Sequence, residues 1–264
     1  MFDTHAHYDD EAFAQDLPQT LQACREAGVG RIVDAASTME SVEKVLALCA
    51  DYPYIYGALG VHPEECAPMT EEFLGTLREK LCGPKIVAVG EIGLDYHWGE
   101  PAREVQQRWF IRQLELAQEL DLPVVVHSRD AAQDTLQILR AHSPARGGKP
   151  CGVLHCYSYG KEMAGDFLEL GYYLGVGGVV TYKNGRRLKE TVEAVPLHKI
   201  VLETDCPYLS PEPLRGRRNS SANLPYVAEA IAALKGVSTE EVVRTTQENA
   251  LRLYGMEDKM RRTP

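Results

Sequence analysis

The chain alternates short apolar runs with amphipathic segments, and this alternation constrains its fold more than any other feature. Most of the runs are rich in Val, Ile or Tyr and continuously apolar, as expected of strands buried on both faces. The eight runs are Met1 to Thr4, Arg31 to Ala35, Tyr54 to Gly60, Ile86 to Val89, Pro123 to Val126, Cys151 to Leu154, Tyr172 to Val176 and Lys199 to Leu202. The segments between them have helical spacing, and strand–helix alternation requires parallel strands with right-handed crossovers. The chain is therefore predicted to be α/β, with either a closed (β/α)8 barrel or an open doubly wound sheet.

The last part of the chain differs from this repeating pattern. After the eighth run comes a Pro-rich loop, Pro207 to Pro225, and then two predicted helices, around Tyr226 to Leu234 and Glu240 to Tyr254. Two segments, Ser37-x-x-Glu40 and Ser238-x-x-Glu241, have the form of capping boxes ahead of the second and the last helix. These two helices are expected to close the last side of the molecule.

The composition limits the class of protein. The 264 residues are 44% hydrophobic and 25% charged, and they contain no repeat or linker, so a single domain over residues 1–264 is expected. No apolar run has the roughly 18 residues of a membrane span, and the N-terminus does not have the form of a secretory signal, which predicts a cytoplasmic protein. The seven scattered Cys contain no Cys-x-x-Cys pair, so neither disulfides nor a thiolate zinc site are expected. A net charge of −10 argues against a non-specific duplex-DNA binder.

Metal-ligand residue types recur where the predicted strands end. A parallel barrel gathers the carboxyl ends of its strands at one face, where a single funnel receives their side chains. The strand-end residues in question are His5 and His7, Glu91, His127, His155 and Asp205. An open sheet would spread these side chains along an edge at about 4.8 Å per strand, whereas a barrel brings the first and eighth strands together. The sequence therefore predicts a metal-binding TIM barrel of the metal-dependent hydrolase type.

The number of candidate ligands indicates two divalent ions. Four His and two carboxylates exceed the roughly three protein ligands of a catalytic zinc. Glu91 is the natural bridge, because its two oxygens allow one carboxylate to contact both ions. His5, His7 and Asp205 would complete one site, and His127 with His155 the other. Imidazole with carboxylate suits zinc, manganese, iron or nickel better than magnesium.

These segments together resemble the TatD family of metal-dependent hydrolases, also described as TatD-type deoxyribonucleases. The resemblance covers nearly the whole chain. Its motifs are Asp3-Thr4-His5-Ala6-His7, Gly60-Val61-His62-Pro63, Gly90-Glu91-Ile92-Gly93-Leu94-Asp95, His127-Ser128-Arg129, His155-Cys156-Tyr157, Glu203-Thr204-Asp205-Cys206-Pro207-Tyr208-Leu209, Arg215-Gly216-Arg217-Arg218-Asn219 and Asn249-Ala250. The resemblance implies a TIM barrel of the amidohydrolase type, metal ligands at the six positions named above, and 3′-to-5′ exonuclease action on DNA.

The chain departs from the family pattern at one place. After Arg217-Arg218-Asn219 many members continue with Glu-Pro, whereas here Ser220-Ser221-Ala222-Asn223 precedes Leu224-Pro225. We expect this difference to change a loop over the mouth of the barrel and the details of substrate binding.

The proposed reaction is hydrolysis of a phosphodiester in single-stranded DNA by a metal-bridged hydroxide, with Asp205, Glu91 and Glu203 as catalytic residues. Asp205 is the expected proton acceptor, with a purely structural ligand as the alternative. Glu203 has the same strand parity as Asp205, and we interpret it either as orienting a metal-bound histidine or as part of a strand-end salt bridge.

Three further residues are predicted to bind substrate. His62 would contact the phosphate or leaving group, unless it makes only a structural hydrogen bond within its own motif. Arg129 would clamp a phosphate, unless it forms a buried bridge with Asp95. Tyr157, together with Tyr182 and Tyr208, would stack bases, although packing is the alternative for each.

A basic cluster after the seventh and eighth runs is predicted to form a polyanion-binding rim. Its members are Lys183, Arg186, Arg187, Lys189, Arg215, Arg217 and Arg218. The expected partner is nucleic acid or another phosphodiester, and the expected state is a monomer or weak homo-oligomer.

Two other functions stay open at this point. The chain is alternatively a binuclear amidohydrolase acting on a small amide or lactone, although neither Lys80 nor Lys85 lies at the end of the fourth strand where a bridging modified lysine would be needed. The third alternative is a metal-holding scaffold without turnover.

Overall fold

All eight predicted runs are strands of one parallel sheet in a computed structural model that describes residues 1–257. Each strand pairs with the next along the chain, in the order β1 to β8. The strands are β1 (Phe2–Ala6), β2 (Arg31–Ala35), β3 (Ile55–Leu59), β4 (Ile86–Asp95), β5 (Val124–Arg129), β6 (Gly152–Leu154), β7 (Tyr172–Val176) and β8 (Ile200–Leu202). The predicted domain continues over residues 258–264, which lie outside the described residues.

Contacts between β1 and the end of β8 bring the two edges of the sheet together. The Thr4 hydroxyl donates to the Leu202 carbonyl at 2.9 Å, and the Asp205 N–H donates to the His5 carbonyl at 3.0 Å. The sheet is therefore a nearly closed barrel, which confirms the predicted TIM-barrel fold and excludes the open sheet.

Helices follow the strands and cover the outside of the barrel. They are α1 (Leu17–Glu26), α2 (Ser41–Asp51), α3 (Glu71–Leu81), α4 (Arg103–Glu119), α5 (Ala132–His142), α6 (Lys161–Glu169), α7 (Arg186–Ala194), α8 (Leu224–Lys235) and α9 (Thr239–Leu253). In α4 the buried residues Trp109, Phe110, Gln113, Leu114 and Ala117 recur at helical spacing and form one face. Burying such a large apolar side chain stabilises the fold by about 1.5–3 kcal/mol. Within residues 1–257, no helix combines the length and apolar character that crossing a membrane requires.

Successive strand residues point to opposite sides of the barrel wall. In β2, Ile32 belongs to the large apolar core that includes the helices, whereas its neighbour Val33 belongs to a second apolar cluster. The second cluster also contains Leu251 and Tyr254 from the end of the chain, and the Tyr254 hydroxyl donates to the Thr4 carbonyl at 2.8 Å. Apolar packing thus fills one end of the barrel and leaves the other end for polar side chains.

One of the two predicted capping boxes is wrong. Ser238 caps α9 as expected, since its hydroxyl accepts the Glu241 N–H at 3.2 Å. The α2 helix begins at Ser41 and is preceded by Glu40, whose side chain makes no cap hydrogen bond. Instead the Thr38 hydroxyl accepts the Ser41 N–H, and the Ser41 hydroxyl accepts the Thr38 N–H, both at 2.9 Å. The reciprocal pair is therefore Thr38 and Ser41, one residue later than the predicted Ser37 and Glu40, and both of its side chains are hydroxyls.

The β4 strand is longer than predicted and contains the candidate bridging residue. It continues past Val89 to Asp95, and all ten of its residues are buried. At Gly93, where φ is +147°, an added Cβ would lie 1.9 Å from the carbonyl oxygen of His127. Only glycine therefore allows β4 to approach β5 this closely, and this approach places the two strands' polar side chains beside each other.

Replacing Gly93 with Ala is expected to lower the free energy of unfolding by at least about 2 kcal/mol, because it adds a steric overlap and an unfavourable φ. Urea unfolding measures the change. Gly75→Ala is the matched control: Gly75 lies within α3 with open space around it, so the same added methyl group should stabilise the chain by about 0.5–1 kcal/mol. Equal effects at the two positions would contradict the close approach of β4 to β5.

Candidate metal centre

The six predicted metal ligands lie together at the carboxyl end of the barrel. Five of the six line a cavity of about 810 Å³, and His5 lies fully buried beneath it. The side chains come from β1, β4 and β5 and from the residues that follow β1, β6 and β8. The barrel therefore brings together residues that are up to 200 positions apart in the chain (205 − 5).

The first cluster joins the two ends of the barrel wall around one oxygen of Glu91. His5 Nε2 lies 3.0 Å from His7 Nε2 and 3.4 Å from Glu91 Oε2. His7 Nε2 lies 3.5 Å from the same Glu91 oxygen. Asp205 Oδ1 lies 3.5 Å from the Nε2 atom of each of these histidines. The Nε2 atoms of His5 and His7 thus lie near both a Glu91 oxygen and an Asp205 oxygen.

The second cluster surrounds the other oxygen of Glu91. Glu91 Oε1 lies 2.9 Å from His127 Nδ1 and 2.9 Å from His155 Nε2. These two nitrogens lie 3.4 Å apart. The two oxygens of the Glu91 carboxylate therefore face different groups of imidazoles.

Both clusters fit divalent ions. Ligand atoms about 2.0–2.2 Å from an ion lie about 2.8–3.6 Å from one another, depending on whether the geometry is octahedral or tetrahedral. Every distance given above falls in that interval, and Asp205 forms a further group with His5 and His155. His5, His7 and Glu91 form one group able to hold a metal ion, and Glu91, His127 and His155 form another. The donors are imidazole nitrogens and carboxylate oxygens, a set that suits zinc, manganese, iron or nickel.

Two of the imidazoles are oriented by hydrogen bonds on their far side. His7 Nδ1 lies 2.8 Å from the Ala35 carbonyl oxygen and must donate to it, which leaves Nε2 free as a ligand. His127 Nε2 lies 2.9 Å from Asp95 Oδ2, which leaves His127 Nδ1 facing Glu91. Partners of this kind fix the tautomer and the ring direction of metal-binding histidines.

The electrostatics of the cluster favour positive charge between its carboxylates. Burial by itself raises the pKa of Glu91, but His155, His5 and His127 hold it well below its ordinary value. Burial by itself lowers the pKa of His7, but Asp205 and Glu91 raise it to about 10. A divalent cation supplies positive charge at this position.

His62 presents a hydrogen-bond donor to the cavity. Its Nδ1 accepts the Glu64 N–H at 3.2 Å and so caps the short helix Pro63–Glu65. The proton of the neutral ring is then on Nε2, which lies 3.7 Å from Glu91 Oε1. Burial, followed by the charge of His127, lowers the pKa of His62 to about 3. The structural hydrogen bond and a donor role toward substrate are therefore compatible.

Comparison with known proteins places the chain in a family. The model of the family described as TatD related DNase matches residues 2–255. The chain belongs to the TatD family. It is 39% identical over 254 residues to the uncharacterized metal-dependent hydrolase YabD of Bacillus subtilis. The matched region covers 96% of this chain and 98% of that protein.

Two further relatives agree with this membership of the TatD family. The 3′-5′ ssDNA/RNA exonuclease TatD of Erwinia tasmaniensis is 33% identical over 263 residues, covering 97% of this chain and all of that protein. The crystal structure of YjjV, a TatD homologue from Escherichia coli, superposes with a TM-score of 0.91 at 34% identity, covering 97% and 98% of the two chains. The protein is thus a metal-dependent hydrolase of the TatD family.

Asp95 was not predicted to hold a histidine, and its carboxylate is one of the closest contacts of His127 in the structure. It accepts from His127 and, at 2.9 Å, from the His97 N–H. The Asp95–Arg129 bridge, which was the alternative to a phosphate-binding role of Arg129, is absent from the ion pairs of residues 1–257. The guanidinium of Arg129 instead lies over the ring of Trp98, 5.5 Å from its centroid.

Replacing Asp95 with Asn is expected to weaken metal binding about 10- to 100-fold, because the amide no longer fixes the His127 ring through a charged acceptor. Competition titration against a metal-binding dye measures the affinity. Asp130→Asn is the control, since Asp130 follows Arg129 in the chain and contacts His97 rather than a candidate ligand. Unchanged affinity in the Asp95 variant would show that the contact with His127 does not serve metal binding.

Glu203 lies behind His155 rather than in the cavity. It is fully buried, its Oε1 accepts the Cys156 N–H at 2.5 Å, and the same oxygen lies 3.7 Å from His155 Nδ1. The position suits an orienting role, and direct contact with a reacting group is incompatible with this burial.

The prediction that Tyr157 binds substrate is not supported. Its side chain is 3% exposed, its hydroxyl donates to the Gly160 carbonyl at 2.7 Å, and its ring packs on Phe167. Tyr182 is also buried, with its hydroxyl on the Ser210 carbonyl at 2.9 Å. Of the three tyrosines only Tyr208 lines the cavity, where it is 55% exposed. Sequence position beside a candidate ligand did not reveal that the Tyr157 ring turns into the protein.

The predicted basic rim does not line the cavity itself, although Arg186 and Arg187 line a neighbouring pocket that shares Ser158 and Val179 with it. Arg218 pairs with Asp16, Arg186 pairs with Glu190, and Arg215 lies over the Tyr182 ring. Among the described residues, the lining of the cavity includes Arg129 but no lysine and no other arginine. Seven lining side chains are acidic: Asp9, Asp10, Glu64, Glu65, Glu91, Asp95 and Asp205. The wall around the candidate metal centre is therefore strongly acidic.

The departure from the TatD family pattern lies behind the candidate ligands, not over the mouth as predicted. Ser221 is fully buried, and its hydroxyl donates to Asp3 Oδ2 at 2.6 Å. The same Asp3 carboxylate accepts from the Thr204 hydroxyl at 2.6 Å. These hydrogen bonds connect the strand of His5 with the segment of Asp205. Ser221 therefore takes part in holding together the two segments that carry His5 and Asp205.

Proposed function

We propose that this protein hydrolyses the terminal phosphodiester bond at the 3′ end of single-stranded nucleic acid. The main expected substrate is DNA. The observation that carries the proposal is the division of the Glu91 carboxylate between two ligand clusters at the base of an 810 Å³ cavity. Two-ion sites that share a carboxylate are suited to phosphoryl transfer between oxygens. The exonuclease name of the Erwinia tasmaniensis relative supports the same substrate class.

In this proposal the metal ions and the protein side chains have different roles. Ions held by His5, His7, Glu91 and Asp205, and by Glu91, His127 and His155, would lower the pKa of a water molecule and neutralise the phosphate. Asp205 accepts the proton of the attacking water. As the water oxygen bonds to phosphorus, the bond from phosphorus to the sugar oxygen breaks, and the leaving oxygen takes up a proton from solvent.

Two side chains position the phosphate. His62 donates from Nε2, and its low pKa keeps the ring neutral with the proton on this atom. Arg129 offers several N–H donors in a planar arrangement that matches phosphate oxygens. Fixing the phosphate in this way reduces the loss of entropy on going from the bound substrate to the transition state.

The charge of the cavity supports action at a chain end. Apart from Glu91 and Asp205, whose charge the bound ions would offset, the wall carries five acidic side chains and one arginine. This wall disfavours a long polyanion that crosses it, since like charges held at short range in a cleft destabilise one another. A terminal nucleotide brings few phosphates besides the scissile one. This is the physical reason for preferring an exonuclease over an endonuclease.

The test is hydrolysis of end-labelled oligonucleotides by protein reconstituted with manganese or zinc. Single-stranded DNA labelled at its 5′ end should give a ladder shortened one nucleotide at a time, while circular single-stranded DNA should stay intact. RNA and duplex DNA are run beside them to rank the substrates. Cleavage of the circle, or no cleavage of any phosphodiester with several metals, would refute the proposal.

The amidohydrolase and scaffold alternatives are tested by the same preparation. A lysine bridge has no candidate among the described residues that line the cavity: Lys80 pairs with Glu43, and Lys85 donates to backbone carbonyls at the opposite end of β4. Hydrolysis of small lactones or ring amides without phosphodiester cleavage would favour the amidohydrolase. Oligonucleotide binding without turnover would favour the scaffold.

A further inference from the structure

An exposed aromatic ring stands at the mouth of the cavity on the side of β4 and β5. Trp98 lies three residues after the end of β4, lines the cavity, and is 65% exposed. A single exposed apolar side chain is common on protein surfaces. This ring, however, forms part of the wall of the candidate active site, and its apolar face is available to whatever the cavity binds.

The Trp98 ring has a cation beside it. The guanidinium of Arg129 lies 5.5 Å from the ring centroid, and the His97 ring meets Trp98 edge-on at 4.6 Å. Arg129 is the last residue of β5 and pairs in register with Asp95, but it belongs to none of the ion pairs found within residues 1–257. Its position is thus set by the strand and the ring, while its N–H groups stay available to an anion.

The charge around the mouth is unequal. On the side of β1 and β8, Asp10 accepts from the Tyr208 hydroxyl at 2.8 Å, and Asp9 lies beside it in the chain. On the side of β4 and β5, Arg129 lies near the acidic Glu64 and Asp95 and is the one arginine among the described residues that line the cavity. The scissile phosphate, which belongs to the terminal nucleotide, therefore meets a guanidinium only on the Arg129 side.

We propose that Trp98 and Arg129 form a subsite for one nucleotide, with the nucleobase stacked on Trp98 and its phosphate bound by Arg129. The proposal rests on the proposed function, because it assigns the terminal nucleotide of the same substrate to this side of the mouth. Stacking on an aromatic ring tolerates every base, since each base has a π-face. The subsite would therefore recognise a nucleotide without reading its sequence.

The first experiment measures binding, independently of turnover. Calorimetry with the metal-loaded protein compares deoxyadenosine monophosphate with deoxyribose 5-phosphate, which lacks the base. The wild type should bind the nucleotide about tenfold more tightly. Trp98→Ala should reduce this ratio to about one, Trp98→Phe should keep most of it, and Arg129→Gln should weaken both ligands by the same factor.

Tyr226→Ala is the matched control, because Tyr226 is an exposed aromatic residue of α8 that does not line the cavity. Its ratio should equal that of the wild type. A wild-type ratio near one, or a ratio that Trp98→Ala leaves unchanged, would overturn the subsite.

The second experiment measures hydrolysis of a dinucleotide against the same compound with an abasic 3′ residue. Trp98→Ala should lower kcat/KM about tenfold for the dinucleotide and leave the abasic compound unaffected. Equal loss on both compounds would contradict stacking. If the wild type cleaves neither compound yet prefers the nucleotide in the binding experiment, the proposed function fails and the nucleotide subsite stands.

Discussion

Replacing Glu91 with Gln is expected to lower metal content from two ions per chain to one or none and to reduce kcat/KM at least about a thousandfold. The two oxygens of Glu91 face different imidazole groups. Glutamine has one carbonyl oxygen, and its amide nitrogen would face one of these groups with hydrogens instead of a lone pair. Mass spectrometry of the metals in reconstituted, desalted protein measures the first effect, and oligonucleotide hydrolysis the second.

Glu64→Gln is the matched control for the Glu91 variant. Glu64 is a carboxylate of the same cavity, 3.9 Å from His62 Nδ1, and it belongs to neither cluster. It should keep two ions per chain. Two ions retained in the Glu91 variant would show that this residue is not a bridge.

The second large effect is expected at Asp205. Replacing it with Asn keeps an oxygen that can still approach His5 and His7 but removes the negative charge that accepts a proton. Losing a general base costs about 100- to 10,000-fold in kcat. The measurement is single-turnover hydrolysis at metal concentrations that saturate the variant, so that weaker metal binding does not enter the rate.

Glu65→Gln serves as the control for Asp205, because it removes a charge from the same cavity wall without touching either cluster. Its rate should remain within a few-fold of the wild type. If metal-saturated Asp205→Asn turns over at nearly the wild-type rate, Asp205 is a structural ligand and another group accepts the proton.

The fold followed from the sequence because each strand is a nearly continuous apolar run. The β2 strand (Arg31–Ala35) and the β7 strand (Tyr172–Val176) have the predicted bounds. The β4 strand does not, since the prediction ended it at Val89, before the polar residues. Glu91 stays buried within the strand because neighbouring imidazoles compensate its charge, and this compensation comes from strands distant in the chain.

The candidate ligands were predictable for a different reason. Each follows or ends an apolar run, and the barrel topology brings those ends to one face. No comparable rule predicts in which direction a side chain on a loop points. Tyr157 is only two residues after His155, yet its ring packs inward on Phe167, whereas Trp98, which was not predicted, is exposed in the cavity. The one feature of the sequence that could have indicated a role for Trp98 is that this large aromatic residue stands in the polar segment after Asp95.

The basic cluster in the sequence was misleading because some of its members have acidic partners in the fold, such as Glu190 for Arg186. Arg218 appeared free for a polyanion, but it pairs with Asp16, 202 positions away. Conversely, Asp9 and Asp10 were not predicted to belong to the site, although they follow the His5-x-His7 motif and line the cavity. The lining of the cavity is therefore more acidic than predicted.

The most direct test of the two-ion account is anomalous diffraction from crystals of the protein grown with manganese or zinc. The account predicts two strong peaks per chain, one among His5, His7, Asp205 and Glu91 Oε2, and one among His127, His155 and Glu91 Oε1. A single peak in a fully loaded crystal, or two peaks that do not share Glu91, would contradict it.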